Sequence, residues 1–323
     1  MSDVVGSCGL YQTTLFSDYV PCSIETRSDS NGEMTLRDEM ALVRAYLQDA
    51  VRPFEGPDAA RYQLMGAGSR VSAPFDLRWL LPKVCGESRK RWWVIWWASF
   101  PVAFMGMLLW GLASGLGWWK SLAAGALLIA LPGLIGVRPT EVALPAMALS
   151  TLSAAAFAQG WWAVGIPLAL LAGTVRETCP IWIAAWTLNP LALIGLLAPI
   201  ARWIVVVPAT TDPVTEQHAV LRHVRDHPVV SALEHHRGHW RSGWLLIAPF
   251  GACLAGLISP SLAVIVTLVL AFAQLLVATD LQRLLQTACG PILALSAVAV
   301  IPDRFLLLVV VLHAVWWRDP VTL

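Results

Sequence analysis

Four groups of residues have the types and spacing to do chemistry. Asp58 and Tyr62 stand four apart and would share one face of a helix. Arg78 lies in Leu77–Val84, an apolar stretch far too short to span a bilayer. It reads as an interfacial or re-entrant helix. Arg138 with Glu141, and Arg176 with Glu177, are acid–base pairs in short breaks between apolar runs. The loop Ala209–Arg241 holds His218, His223, His227, His235, His236 and His239. Guanidinium grips phosphate in a bidentate fork, and a carboxylate can take a proton from an attacking hydroxyl. Arginines and acids gathered at one membrane face would therefore suit a polar site. The histidines match no zinc spacing and read as a solvated loop, so neither a metal nor a cofactor is expected.

The elements that must position these residues are hydrophobic helices. The 323-residue chain is 57% hydrophobic and only 13% charged, with mean hydropathy +0.64. Soluble domains run about 25% charged. The composition predicts an all-α, polytopic integral membrane protein with eight or nine hydrophobic segments behind a polar N-terminal region. The lipid bilayer is then its first partner. Nothing suggests a nucleic-acid surface. Six scattered cysteines make no CxxC pair, and Met1–Leu10 lacks the pattern of a signal peptide.

Three regions follow. Residues 1–55 are polar, with one amphipathic helix marked by Leu36, Met40, Val43 and Leu47, and are not expected to span. Residues 56–91 form the interfacial acidic and aromatic loop with its short helix. Residues 92–318 form the transmembrane domain, interrupted by the polar loop 209–241, in which Asp212-Pro213 can start a helix that Pro228 stops. The segments read as Trp92–Gly117, Ser121–Val137, Val142–Ala158, Trp161–Val175, Ile181–Val207, Gly243–Ile258, Ser261–Ala278, Leu284–Pro302 and Phe305–Trp317. Tryptophan pairs such as Trp118-Trp119 and Trp161-Trp162 mark segment ends, as headgroup-level indoles do.

Nine spans assign sides by parity. One side receives Asp58, Arg78, Arg138/Glu141, Arg176/Glu177 and Asp303/Arg304. The other receives Lys120, Arg202, the histidine loop, Asp280/Arg283 and Arg318. Basic residues near span ends number six on the first side and eight on the second, which mildly favours the second as cytoplasmic, whereas the collar Arg89-Lys90-Arg91 at the first span argues the opposite way.

Asp58-x-x-x-Tyr62, then Pro74-Phe75-x-x-Arg78-x-Leu80-x-Pro82, then alternating spans, resembles the first luminal loop of GT-C-type membrane glycosyltransferases. The break Arg176-Glu177-Thr178 and the late Asp280-x-x-Arg283 ahead of Pro291 resemble those proteins too. Such enzymes pass a sugar from a polyprenyl phosphate carrier to an acceptor at the outer membrane face. The resemblance implies a multi-pass protein of a bacterial cytoplasmic membrane. It makes Asp58 the acid that accepts the acceptor's proton, and Arg78, Arg138 or Arg176 the cation facing the lipid phosphate. Tyr62, Glu141 and Glu177 complete the implied substrate-binding set. The chain departs from the family in having no apolar span before the acidic loop and no C-terminal domain. Two other classes stand beside this one: a non-enzymatic, partner-binding membrane protein, and a transporter. Leu188-Asn189-Pro190 and Leu131-Pro132-Gly133 have the look of the discontinuous helices that transporters use.

Overall fold

The computed structural model describes residues 57–72, 74–131, 142–206, 223, 226–239, 248–276 and 281–316. The amphipathic helix expected before residue 55, Arg138, Glu141, Asp280 and most of the loop after Val206 lie outside them. Among the described residues every regular element is helical. They are α1 (Pro57–Gly66), a 3-10 turn (Phe75–Leu77), α2 (Leu80–Cys85), α3 (Arg89–Ala113), α4 (Trp118–Ile129), α5 (Ala143–Ala158), α6 (Trp162–Val175) and α7 (Cys179–Thr187). There follow a 3-10 segment (Pro190–Leu196), α8 (Leu197–Val205), α9 (Pro228–His239), a kinked 3-10 segment (Ala248–Leu257), α10 (Leu262–Gln274), α11 (Leu281–Val300), a 3-10 turn (Asp303–Phe305) and α12 (Leu306–Trp316).

Among the described residues, α3 is the one helix that by itself is long and apolar enough to cross a membrane. Leu284–Val300 and Asp303–Val315, bent by 118° at Pro302, pass the same test only when taken together. The other apolar helices are shorter. The eight or nine expected segments are thus present as helical pieces, but most fall below the ~20 residues of an upright span. Glycine and proline breaks and 3-10 stretches divide them. Pro228 opens α9, where its missing N–H costs nothing; most of the helix expected to stop before it lies outside the described residues.

The pieces run back and forth between two ends of one bundle. Gly111 abuts Ser121 and Phe104 abuts Gly125, so α4 returns along α3. Ser153 Oγ donates to Gly165 O at 2.8 Å, so α6 returns along α5. Residues before α3 cap the end where α3 begins. At the opposite end Lys120 Nζ donates to Ala299 O at 3.1 Å and meets Asp303 Oδ1 at 3.5 Å. That contact joins the start of α4 to the end of α11.

The most informative departure from the sequence reading lies between Ile181 and Val207, taken as one span. Leu188 adopts the left-handed conformation (φ 51°), and Asn189 Oδ1 accepts from Leu191 N–H at 3.0 Å to start a new helical segment with Pro190. The chain reverses there. The 3-10 segment and α8 then climb beside α6, toward the cap. The approach is close enough that a Cβ on Gly173 would stand 2.6 Å from Gly195 O, so both positions need glycine. This hairpin shifts every later parity by one. Arg202 therefore sits at the cap, not opposite it. Asp303 and Arg304 sit with Lys120 at the far end, not with Arg78.

The interior is apolar with a few small hydroxyl residues, and the outer surface is apolar where that of a water-soluble bundle would be polar. Ser150, Thr151 and Ser153 are fully buried between helices, their hydroxyls returned to backbone carbonyls. Outward stripes are apolar: Leu262, Ile265, Val269 and Phe272 on α10, with Leu276 in the turn just past it, are all exposed, as are Leu307, Leu308, Val311, Leu312 and Val315 on α12.

Candidate functional site

The cap is built from α1, the 3-10 turn and α2. Tyr62 is buried against Phe75, ring edge to face at 5.8 Å, and against Trp92 at 6.3 Å. Arg61 lies over the same Phe75 ring at 4.4 Å and Arg78 at 5.2 Å. The aromatic plate thus holds two guanidinium groups by cation–π contact. Arg78 is not on a helix. It terminates the 3-10 turn, its N–H donating to Phe75 O, and this turns its side chain loose from helical geometry.

Arg78 closes a fork on Glu177, at the turn between α6 and α7. Its Nε donates to Oε2 at 2.7 Å and its Nη2 to Oε1 at 2.9 Å. Its Nη1 donates to the Tyr62 hydroxyl at 3.1 Å. The two side chains keep only 14% and 18% of their surface. Burial alone would push the Glu177 carboxyl up. The Arg78 charge and its hydrogen bonds, with Arg176 behind them, hold it below the usual carboxylate range. Burial would likewise lower the Arg78 guanidinium, but Glu177 and Tyr62 raise it well above its ordinary value. The pair is therefore fully ionised at neutral pH.

Arg176, next along the turn, is buried and points elsewhere: its Nη1 donates to Thr287 Oγ1 on α11 at 3.3 Å. One two-residue break thus ties the bundle in two directions, Glu177 to the cap and Arg176 to α11. A third tie joins Asp76, 2% exposed, to Arg202 on α8, with Arg202 Nη2 donating to Asp76 Oδ1 at 3.2 Å. A cleft of about 790 Å³ opens beside this pair, between the cap and α8, with Arg70, Lys83 and Trp79 on its rim.

Of the residues picked from sequence, the structure brings Tyr62, Arg78 and Glu177 into contact and leaves Arg176 adjacent but turned away. Asp58 lies one helical turn before Tyr62 on α1, its side chain outside the described residues. Arg138 and Glu141 fall outside them as well. Sequence reasoning missed Arg61 on Phe75 and the Asp76–Arg202 pair. Asp76 stood inside the quoted motif, but parity had sent Arg202 to the other side. The break at Leu188-Asn189-Pro190 was the signal that could have brought it back. The His223 and His227 rings lie 5.4 Å apart, tilted by 59°, and His223 meets Glu234 at 3.4 Å. Among the described residues no three potential ligands gather around one point.

No protein-family model, no curated protein and no solved structure matches the chain.

Proposed function

We propose that this chain is a multi-span helical membrane protein that acts by binding at its polar cap rather than by catalysis. The observation that carries the membrane reading is the apolar outer surface of α10 and α12. In water such outward stripes would be polar, and a monomer seldom exposes so much contiguous apolar area. Exposed Trp118, Trp119, Trp161 and Trp162 all stand at the end away from the cap, as an aromatic belt would. Short helices are accommodated because small buried residues let neighbours pack closely.

Corrected parity also orients the protein. Among the described side chains the cap end carries Arg61, Arg70, Arg78, Lys83, Arg89, Lys90, Arg91, Arg176 and Arg202. The far end carries Lys120 and Arg304. The positive-inside rule then favours a cytoplasmic cap. Sugar transfer in the enzymes that the sequence resembles occurs at the outer face, which weighs against that activity here. So does the closed Arg78–Glu177 fork, whose best donors are already spent.

A second reading is sugar transfer from a polyprenyl phosphate carrier. It is favoured by the convergence of Tyr62, Arg78 and Glu177 one turn from Asp58. In it, Asp58 takes the acceptor's proton and Glu177 positions Arg78. The two readings separate in membranes containing the full chain and a polyprenyl-phosphate sugar. Binding without catalysis predicts no transfer in wild type. Transfer that Asp58→Asn lowers by about 10²–10⁴, the usual loss of a general base, would reverse the choice. The membrane reading itself is tested by alkaline carbonate extraction: the protein should stay with the pellet, and release without detergent would refute it.

A further inference from the structure

We infer that the cleft between the cap and α8 is a headgroup site for an anionic, hydroxyl-bearing phospholipid of the leaflet that the cap touches. The inference rests on the membrane reading above. The cleft, about 790 Å³, has two unlike walls. Arg70 and Lys83 stand on its exposed rim and Arg202 on its inner side. The α8 wall offers Ala198 and Val205, and it continues outward into exposed Leu197, Ile200 and Ile204. A phosphate held by the basic rim would leave acyl chains lying along α8, where apolar surface already faces outward.

An independent feature points to a ligand. Asp76 lines the cleft at 2% exposure, and its Oδ2 has no hydrogen-bond partner among the described residues. A buried carboxylate oxygen without a donor is costly. Arg202 occupies only the other oxygen. Asp76 Oδ2 has almost no accessible surface, so the side chain would have to turn it toward the cleft to take a headgroup hydroxyl, a small donor within reach of a phosphate. The three cations exceed the one carboxylate by two charges, which suits an anionic headgroup better than a zwitterionic one. Juxtamembrane basic clusters recognise anionic lipids by this charge logic.

The test is native mass spectrometry of the full chain in detergent, supplied with phosphatidylglycerol or phosphatidylcholine of matched acyl chains. Phosphatidylglycerol should be retained preferentially. Arg70→Ala and Lys83→Ala should each lower that retention about five-fold, the weight of one basic residue near a lipid surface. Both side chains are exposed, so neither variant should unfold. Lys90→Ala, at the start of α3 and outside the cleft, should leave retention unchanged. Equal retention of the two lipids, or an equal loss in Lys90→Ala, would overturn the site. Full displacement of the lipid by sn-glycerol 3-phosphate would overturn the lipid assignment in favour of a soluble phosphate. Carbonate extraction of the same preparation keeps the two claims apart. A protein that stays in the membrane yet shows no lipid preference loses the site only.

Discussion

Glu177 illustrates how a single carboxylate can report on the cap. Its pKa is depressed in the folded protein, so its stabilising contribution is present above the unfolded value, about 4.3. The contribution is lost as pH falls through the lower folded value. Melting of the protein in detergent should therefore be flat in this respect from neutral pH down to about 5 and fall below about 4. Glu177→Gln should flatten that acid fall. Arg78→Ala should flatten it too: the carboxyl stays buried but loses the charge that held it low, so acid protonation relieves its burial instead of breaking a pair. That variant should also cost about 3 kcal/mol at neutral pH, near the low end for breaking a buried pair because each partner keeps some exposure. An unchanged melt for Arg78→Ala would show that the fork contributes nothing to the cap's attachment. The residues of this fork were legible in the sequence as types: an arginine in a short apolar stretch and an acid beside a span break. What the sequence could not show was that they would satisfy each other. Pairing across 99 positions depends on where two turns meet, and only tertiary geometry supplies that.

At the level of elements, the hairpin of α7 and α8 decides the architecture. Its reversal was written in the chain as Leu188-Asn189-Pro190, yet the hydropathy of Ile181–Val207 continues across it without a dip. Apolar residues on both sides of a turn hide the turn, because one half-buried Asn189 between exposed Leu188 and Pro190 is too little polarity to register. Glycine pairing is the stronger physical mark. Gly173→Val would force a branched side chain into Gly195 O, and we predict that it destabilises the fold by at least about 2 kcal/mol, as overpacking of a tight contact does. Detergent melting should show this loss, whereas Gly115→Val, at the open turn after α3, tests a strained backbone with no such neighbour and should cost less. A reversed order would remove the close approach from the account of the hairpin.

For the whole molecule, the corrected path makes a topological prediction. Single cysteines at Gly68 and Gly238 should label from one side of the membrane and a cysteine at Gly160 from the other, in a chain whose native cysteines are replaced. Nine straight spans also divide Gly68 from Gly238, so accessibility of those two from the same side separates the hairpin from an uninterrupted span. The helical class and the charge partition near Arg91 were readable from composition and patterning alone, because burial in either lipid or protein demands long apolar runs. The number of crossings was not, since one hidden reversal changes every side assignment downstream of it.

The lock at the far end also sets a clock. Lys120 finds its carbonyl partner 179 positions later and its carboxylate 183 positions later, whereas Arg78 waits 99 positions for Glu177. At synthesis rates of about 5–20 residues per second, the cap pair has its partner within roughly 5–20 seconds and the far pair within roughly 9–36 seconds. The far end is therefore the last to close during biogenesis. Chains arrested before Ala299 should leave a cysteine placed at Ser121 open to a thiol reagent that cannot reach it in the finished protein. Equal protection in both would mean that the helices themselves, and not this late pair, seal that end.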